Sequence, residues 1–459
     1  MMPFYSLAHP ATHPALIDCR GVTLSYGELA LRVQTLADAL VPRALVFVHC
    51  KNQAEAVIGY LACLQKNAVA LLIDDNIDPV LTAQLVDTYR PTFQWHPVEN
   101  VYQLSATGLT TWPMHSDLAL LMTTSGSTGS PKLVRLSKRN LESNAASIAQ
   151  YLNLSASERG LVSLPINYVY GLSIVNSHLS VGATLLLTDH SVMQRELWTF
   201  VRKQRASSLA GVPYTWEMLK KLRFMRMDLP DLRTLTQAGG KLSAALQQEF
   251  TEYAAQAGKR FIVMYGAAEA TSRMAWLAPE YASSHYGSIG KAIPGGEFIL
   301  LGEDGQPVST PDVAGELVYR GENVALGYAE KGEDLALGDE FAGVLHTGDI
   351  ATCDADGFYS IIGRKKRFLK IFGNRVGLDE MEALIKNAFP GITCACDGRD
   401  DQLCIFLTDA ALSETVKHHA ATLSKLHASA FRVIVLDAIP VNASGKTLYH
   451  RLKDYVPSV

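Results

Sequence analysis

Apolar and polar positions alternate along the first two-thirds of the chain with two different periods. Between residues 23 and 40, apolar side chains recur every three or four positions, which predicts an amphipathic helix. Unbroken apolar runs at 43–50 and 68–74 predict buried strands, and a helical pattern at 53–66 separates them. Strand, helix and strand in this order predict a parallel sheet with helices on its faces, and the order returns at 206–219.

The pattern changes near residue 297, where short β-rich segments punctuated by Gly and Asp predict hairpins or a small barrel. Later, a helical pattern at 381–389 and two further apolar runs predict a compact tail. We therefore predict an α/β fold with two domains. The large N-terminal domain, 1–365, has stacked mixed or parallel sheets with helices plus a small β-barrel-like subdomain. A small α+β domain follows at 366–459.

Composition narrows the classes of protein that this chain represents. Of 459 residues, 48% are hydrophobic and 19% are charged, which suits a large buried core. A formal net charge of −4 provides no basic field, so we expect no nucleic-acid partner. Seven scattered cysteines are typical of reduced core residues rather than of a disulfide framework. The sequence shows neither a leader peptide nor an apolar run of about 18 residues, so we expect a cytoplasmic protein without a membrane span.

One segment, TTSGSTGSPK at 123–132, combines hydroxyl side chains, glycines and a lysine. Alone, such a composition is typical of a flexible linker. However, the strand-like run at 118–122 precedes it, and loops after strands of α/β sheets carry ligands. Its glycines let backbone N–H groups converge, its hydroxyls donate to phosphate oxygens, and Lys132 adds a compact cation. The candidate phosphate-binding residues are Thr124, Ser125, Gly126, Ser127, Thr128, Gly129 and Lys132. A Walker loop is absent, because no G-x-x-x-x-G-K-[ST] run ends at this lysine.

TTSGSTGSPK resembles the phosphate-binding signature of the adenylate-forming enzymes, which include acyl-CoA synthetases, luciferases and the adenylation domains of peptide synthetases. Further landmarks of that family follow in order, from about residue 23 to the C-terminus. The resemblance implies that this loop and Lys132 hold the phosphates of ATP.

MYGAAEATSR resembles the family motif Y-G-x-T-E. The resemblance implies that Tyr265, beside Gly266, stacks on adenine and that Glu269 helps to hold Mg²⁺ near the phosphates. The family's threonine, whose hydroxyl reaches the α-phosphate, is Ala268 in this chain. Either Thr271 or a hydroxyl of the phosphate loop then compensates, or the activity is reduced.

Two further segments resemble the family's nucleotide-binding landmarks. QAGGKLS resembles the turn that forms one wall of the adenine pocket, with Gly239 and Gly240 at its centre. HTGDIATCDADGFYSIIGR resembles the T-G-D and G-R motifs, in which Asp349 accepts hydrogen bonds from the ribose hydroxyls and Arg364 assists.

The C-terminal part resembles the family's mobile domain. GRKKRFLKIFGNRV places Lys366 at the hinge position, and Lys370 and Gly373 on the face presented for the second half-reaction. IPVNASGKTLYHRL resembles the C-terminal signature, which makes Lys446 the catalytic lysine.

LPINYVYGLS resembles the family's acid-binding segment, with Tyr168 replacing a histidine. Domains that activate amino acids usually have an Asp where this chain has Val169, and an ammonium beside Val169 would be poorly solvated. We therefore expect a non-amino acyl or aryl acid, in a pocket that Gly171 and Gly211 help to line. An amino acid is the alternative.

The resemblance implies an AMP-forming acid–thiol ligase that uses ATP and Mg²⁺. A carboxylic acid is activated as acyl-AMP with release of pyrophosphate, and the acyl group passes to CoA or to the phosphopantetheine of an acyl carrier protein. Three alternatives remain open at this point: amino-acid adenylation for loading a carrier protein, a catalytically degenerate nucleotide-binding homologue, and a kinase or ATPase.

Overall fold

The computed structural model describes residues 2–99, 101–123, 132–365, 367–372, 374–424, 426–441 and 447–456. Contacts divide the chain into two compact units. The first comprises Met1–Glu297 and Tyr319–Leu345, and the second comprises Phe298–Val318 and His346–Val459. The boundary that we predict for the mobile domain, between residues 365 and 366, lies inside the second unit and stays a prediction.

Strands and helices alternate through most of the chain. The strands are β1 (Pro14–Asp18), β2 (Thr23–Ser25), β3 (Leu45–Cys50), β4 (Val69–Asp74), β5 (Phe93–Val98), β6 (Val101–Ala106), β7 (Leu118–Thr123), β8 (Leu133–Ser137), β9 (Arg159–Val162), β10 (Thr184–Leu187), β11 (Ser208–Gly211), β12 (Thr234–Gln237), β13 (Arg260–Tyr265), β14 (Ala275–Leu277), β15 (Lys291–Ala292), β16 (Gly296–Leu301), β17 (Gly315–Gly321), β18 (Gly327–Ala329), β19 (Val344–Cys353), β20 (Tyr359–Arg364), β21 (Phe368–Ile371), β22 (Asn374–Gly377), β23 (Cys394–Arg399), β24 (Gln402–Leu407) and β25 (Phe431–Val435). The helices are α1 (Tyr26–Ala39), α2 (Ala54–Lys66), α3 (Pro79–Tyr89), α4 (Lys138–Tyr151), α5 (Val169–Ser180), α6 (Arg195–Lys203), α7 (Pro213–Lys221), α8 (Ala244–Gln256), α9 (Leu378–Ala388), α10 (Ser413–Ser424) and α11 (Tyr449–Leu452).

Two sheets form the framework of the first unit. Over the described residues, one has the order β15-β14-β13-β12-β11-β9-β10-β1-β2 and the other has the order β18-β8-β7-β4-β3-β5-β6. Their central strands pair in parallel, and antiparallel strands lie at the edges. This arrangement confirms the mixed, mainly parallel sheets with crossover helices that the apolar pattern predicts.

Helix α1 shows how local sequence sets the elements. Ser25 caps its first turn and Glu28 bonds back to the cap, so both ends of this capping box are satisfied. The buried face carries Leu29 and Val33. The predicted helix at 23–40 is three residues too long at its start, because Thr23–Ser25 pairs antiparallel with β1 before the cap.

The later strands of the chain form smaller sheets. Over the described residues, β16, β17, β19 and β20 form a four-stranded sheet in that order, which is the β-rich region predicted after residue 297. Strands β23, β24 and β25 form a further sheet, and α9 and α10 pack on it around a core that includes Met381, Ile405 and Val416. This confirms the predicted α+β tail. Among the residues described, no helix is both long and apolar enough to cross a membrane.

Candidate functional site

The carboxyl ends of three neighbouring parallel strands carry much of the predicted site. Strand β11 ends at Gly211, β12 ends just before the turn that holds Gly239 and Gly240, and β13 ends at Tyr265. Register pairs Gly211 with Gln237 across β11 and β12, so these ends lie side by side. Ligands of α/β sheets bind at this edge.

The turn after β13 is compact. A Cβ on Gly266 would lie 1.7 Å from the carbonyl oxygen of Ser272, so only glycine lets the chain fold back here. Met274 N–H then donates to the carbonyl of Tyr265 at 2.8 Å. The fold-back places Ala268 and Glu269 in a single 3₁₀ turn at the strand end.

A buried asparagine holds this turn from below. Asn323 Nδ2 donates to the carbonyl oxygens of Ala270, at 2.9 Å, and Arg273, at 3.1 Å. Ala325 N–H donates to the carbonyl of Glu269 at 2.8 Å. The backbone that carries Glu269 is therefore fixed by the segment that precedes β18.

The Glu269 carboxylate has one partner that the sequence motifs did not indicate. Tyr328 OH donates to Glu269 Oε1 at 2.8 Å. Burial, and then the neighbouring Glu269 charge, raise the pKa of Tyr328, so its phenol stays a donor at neutral pH. Glu269 Oε2 has no hydrogen-bond partner among the described residues. This oxygen is therefore available to a cation.

Lys132 lies against the same tyrosine. Its Nζ is 3.8 Å from the centroid of the Tyr328 ring and 3.2 Å from Glu330 Oε1. Tyr328 itself is anchored by Arg135, whose buried Nε donates to the Tyr328 carbonyl at 2.9 Å. Lys132, Tyr328 and Glu269 thus form one contiguous polar cluster in the first unit. Glu330 is largely exposed, so a bound anion can displace this weak ion pair.

Thr271 does not replace the missing threonine hydroxyl at Ala268. Its side chain is buried, and its hydroxyl donates to the carbonyl of Asn323 at 2.7 Å. This hydroxyl proton is therefore used inside the turn. The hydroxyls of the phosphate loop lie outside the described residues.

The predicted acid-binding residues lie beside the strand ends. Tyr168 precedes α5, and a Cβ on Gly239, whose φ is +84°, would lie 2.6 Å from the Tyr168 hydroxyl. The tyrosine ring therefore covers Gly239, and burial raises the pKa of Tyr168 to about 12. Val169 and Gly171 are buried in the first turn of α5.

Two carbonyls hold the neighbouring turns. The carbonyl of Gly211 accepts from Trp216 Nε1 at 3.1 Å, and the carbonyl of Gly240 accepts from Gln237 Nε2 at 2.8 Å. The structure thus brings together the acid-side and adenine-side residues predicted in the first unit.

Asp349 and Arg364 lie in the second unit and meet across the β19–β20 hairpin. They are register partners, and Arg364 Nε donates to Asp349 Oδ1 at 3.1 Å. Asp349 is buried, whereas the Arg364 side chain is mostly exposed. The residues of the T-G-D and G-R motifs are thus paired directly within one hairpin.

Several predicted residues lie outside the described part of the chain. They are Thr124, Ser125, Gly126, Ser127, Thr128, Gly129, Lys366, Gly373 and Lys446. Lys370 is described: it lies exposed on β21, and its backbone N–H donates to Asp400 Oδ1 at 2.8 Å. Val441 and Thr447, which both belong to the C-terminal signature, form an isolated antiparallel bridge.

The residues present fit Mg²⁺ bound together with phosphates. Among the described residues no three His, Cys, Asp or Glu side chains gather into a metal-binding group. Mg²⁺ usually takes one or two protein carboxylates plus phosphate oxygens and water, rather than a full protein cage. Glu269, with Oε2 available, supplies such a carboxylate.

Comparison with known proteins decides the family. The model of the AMP-binding enzyme family matches residues 79–329, which is more than half of the chain. The chain belongs to the AMP-binding enzyme family. This places it among the adenylate-forming enzymes, as an AMP-forming acid–thiol ligase.

Individual relatives agree with this membership. The chain is 29% identical over 424 residues to a feruloyl-CoA synthase of Amycolatopsis sp, covering 86% of this chain and 84% of that protein. It is 30% identical over 350 residues to a 2-succinylbenzoate–CoA ligase of Bacillus pumilus, covering 73% and 68%. The o-succinylbenzoate CoA synthetase of Bacillus subtilis, solved with an acyl-adenylate intermediate, shares the fold with a TM-score of 0.79, 22% identity and coverage of 99% and 98%.

Proposed function

We propose that this adenylate-forming enzyme activates a carboxylic acid without an α-ammonium group and transfers the acyl group to the thiol of CoA. The observation that carries the proposal is the strand edge at which Glu269, held by Tyr328, lies on the same side as the acid-side residues Tyr168 and Val169. The proposed metal-binding carboxylate and the proposed acid-side residues thus lie at one edge of one sheet, which supports the proposal.

In the first half-reaction a carboxylate oxygen of the acid attacks the α-phosphorus of ATP. A new O–P bond forms, the bond to the bridging oxygen of the β-phosphate breaks, and pyrophosphate leaves. Negative charge grows on the phosphate oxygens, and fixed donors and cations stabilise it. In this assignment Lys132 and the residues at 124–129 bind the β- and γ-phosphates, and Lys446 bridges the acid carboxylate and the nucleotide.

The nucleoside has its own set of residues. Tyr265 stacks on adenine against the Gly239–Gly240 wall, and Asp349 accepts hydrogen bonds from the ribose hydroxyls with Arg364 beside it. Glu269 would hold Mg²⁺, which supplies charge neutralisation at the phosphates. Tyr328 keeps Glu269 Oε1 engaged, which would leave Oε2 to hold the cation.

In the second half-reaction the thiol sulfur attacks the acyl carbon, the bond from that carbon to AMP breaks, and the thiol proton passes to solvent. We assign the domain movement to Lys366 and the face presented to the thiol to Lys370 and Gly373. Lys366→Pro should slow thioester formation far more than adenylation, and equal slowing of both steps would contradict this hinge.

The similar proteins support CoA as the acceptor of the acyl group, and the need for ATP and CoA supports a cytoplasmic location. The relatives named above are CoA ligases and a CoA synthase, which favours CoA over a carrier protein. The residue at position 169 also argues against an amino acid, because a valine cannot pair with the substrate ammonium that an Asp there would hold. We place the enzyme in the cytoplasm, where ATP and CoA are available; cell fractionation tests this.

Acid-dependent exchange of pyrophosphate into ATP is the experiment for this proposal. A broad panel of acyl, aryl and amino acids is assayed, with Glu269→Gln as the matched inactive control. Exchange with acids that lack an ammonium, and AMP as the nucleotide product, are expected. ATP binding without exchange for any acid would indicate a degenerate homologue, and release of ADP would indicate a kinase or ATPase. Supplying CoA and a phosphopantetheinylated carrier protein in parallel then separates the two acceptors.

A further inference from the structure

Arg273 is a buried guanidinium where the acid-side helix meets the nucleotide-side strand. It is 2% exposed. Its Nε donates to Ser173 Oγ at 3.2 Å, and its Nη1 lies 3.1 Å from Tyr151 OH and 3.2 Å from Met264 Sδ. The guanidinium carbon lies 5.1 Å from the centroid of the Tyr170 ring. Every one of these partners is neutral.

The charge of Arg273 has no counter-ion in the described part of the chain. No Asp or Glu there lies within 4.0 Å of its nitrogens, and Nη2 has no hydrogen-bond acceptor among the same residues. A guanidinium does not lose its proton in proteins, so the group is a cation at any relevant pH. A buried cation is costly unless an anion pairs with it. The aromatic face of Tyr170 eases this cost without neutralising the charge.

Two arginines of this chain, Arg135 and Arg367, show the contrasting case in which a carboxylate pairs with the guanidinium. Arg135, with a fully buried side chain, lies 2.6 Å from Glu340 Oε2. Arg367, with 14% of its side chain exposed, pairs with Asp379 and Glu382. Arg273 is thus unlike both of them, and its missing partner is an anion rather than another hydrogen-bond acceptor.

The position of Arg273 points to the source of that anion. Ser173 lies one helical turn beyond Val169 on α5, which is a rise of about 6 Å. Met264 immediately precedes Tyr265 at the end of β13. An acid whose reacting carboxylate lies near Glu269 would therefore extend along α5 toward the guanidinium.

One side chain is free to open this path. Tyr170 is fixed, because its hydroxyl lies 2.9 Å from both the carbonyl and the Oγ1 of Thr236. The Tyr168 hydroxyl makes no hydrogen bond to a described residue, and its ring lies 6.4 Å from that of Tyr170. We expect Tyr168 to rotate away from Gly239 when an acid binds.

We infer that Arg273 binds a second carboxylate of the substrate, so that this enzyme activates dicarboxylic acids. This inference rests on the proposed function. Arg273 acts on specificity: its fork of N–H donors matches a carboxylate in two parallel hydrogen bonds, and the reacting carboxylate is the one at the other end of the acid.

The test uses matched pairs of acids that differ only in the second carboxylate. Aliphatic and aryl dicarboxylic acids are each compared with their monomethyl esters in pyrophosphate exchange, by kcat/KM. The wild-type enzyme is expected to favour the diacid of its best pair by roughly 10- to 100-fold, because a charge-assisted, two-pronged bond is lost in the ester. Arg273→Met should lose this preference by slowing exchange with the diacid, while exchange with the ester changes less than about threefold. Arg273→Lys should retain part of the preference.

Arg260→Met is the matched control, because Arg260 begins β13, the strand that precedes the Arg273 turn, and donates only to neutral acceptors, the carbonyl of Leu152 and Thr234 Oγ1. Its diacid preference should equal that of the wild-type enzyme. Thermal unfolding and ATP binding confirm that each variant folds.

The inference is overturned if the wild-type enzyme prefers esters or simple monoacids, or if Arg273→Met slows exchange with both members of a pair equally. In either case exchange itself still supports the proposed function. If no acid supports exchange, the proposed function fails, and calorimetry decides the inference alone. Tighter binding of a diacid to the AMP-loaded wild-type protein than to Arg273→Met supports it, and equal affinities overturn it.

Discussion

Arg273, which is buried, and Arg367, which is largely buried, lie one in each unit and differ in whether the protein neutralises their charge. Arg367 opens the C-terminal segment, donates to Glu382 Oε1 at 2.9 Å and to the carbonyl of Cys396 at 2.6 Å, and also pairs with Asp379. Its guanidinium lies 3.6 Å from the ring centroid of Tyr449, and the Tyr449 hydroxyl donates to Glu382 Oε2 at 3.0 Å. Arg273 has only neutral partners.

This difference in pairing indicates different roles: Arg367 stabilises the fold, and Arg273 binds substrate. The Arg367 cluster is neutralised within the protein, and it ties the segment after the predicted hinge to α11, which begins three residues after Lys446. The charge of Arg273 is neutralised only when an anionic ligand binds beside it. A buried charge whose counter-ion is part of the protein stabilises the fold. A buried charge without such a counter-ion favours the binding of an anionic substrate.

The largest expected effect is on stability, in the second unit. Arg367→Met leaves the buried carboxylate of Glu382 and the partly buried one of Asp379 without their main cation, which should lower the free energy of unfolding by about 3–5 kcal/mol. Arg273→Met removes an unpaired cation and leaves no buried charge behind. It should therefore lower the free energy of unfolding by no more than about 1 kcal/mol. Urea unfolding of both variants measures the contrast. Equal losses would show that Arg273 is as structural as Arg367.

A substitution in the second unit that affects catalysis but not stability provides the opposite case to Arg367→Met. Lys446→Ala should reduce exchange by roughly 100- to 1000-fold, because it removes a cation aimed at charge that develops in the reaction. Its urea unfolding should match that of the wild-type protein, which is the reverse of Arg367→Met. Undiminished adenylate formation would refute the assignment of this lysine.

The architecture was largely predictable because its signals are local. Strands such as β4 and β7 are short, mainly apolar runs in the sequence. Tyr265 and Glu269 belong to a contiguous sequence motif. Tyr328 was not predictable: it meets Glu269 from 59 positions away in the chain, through the pairing of β18 with β8. Nothing near Tyr328 in the sequence marks it as different from the other tyrosines.

Arg273 presents a different limit of sequence reasoning. A single arginine in the apolar stretch ATSRMAWLA is a visible signal, and we assigned it no role from the motif. Whether such a charge is paired depends on which side chains the fold brings to it. Only the tertiary contacts distinguish Arg273 from the carboxylate-paired Arg135.

The charge of Arg273 should also be detectable through its neighbour His178. Burial, and to a smaller extent the charge of Arg273, lower the pKa of His178 to about 4 from its usual value near 6.5. Between these values the unfolded chain binds a proton that the folded chain does not, so stability is lost as the pH falls from 6.5 toward 4. The loss between pH 7 and pH 5 should be about 2 kcal/mol.

Urea unfolding at the two pH values measures this loss, and His178→Gln should remove most of it. Arg273→Met should make it smaller, because the pKa of His178 then rises. A pH dependence that is the same in all three proteins would show that His178 does not report on this charge.

The smallest expected effect concerns Tyr328. Tyr328→Phe keeps the ring under Lys132 and removes only the hydrogen bond to Glu269, so exchange should fall by about tenfold. The loss should be greatest at low Mg²⁺ concentration, since the carboxylate is less well oriented for the metal. A loss that is independent of Mg²⁺ would place the role of Tyr328 elsewhere.

The most direct test of the account is acid-dependent pyrophosphate exchange by the wild-type enzyme with one dicarboxylic acid and its monomethyl ester, with the nucleotide product identified. We expect exchange with both, AMP as the product once CoA is added, and a diacid preference of at least about tenfold. ATP binding without exchange for any acid would contradict acid activation at this site, and faster exchange with the ester would contradict the role of Arg273.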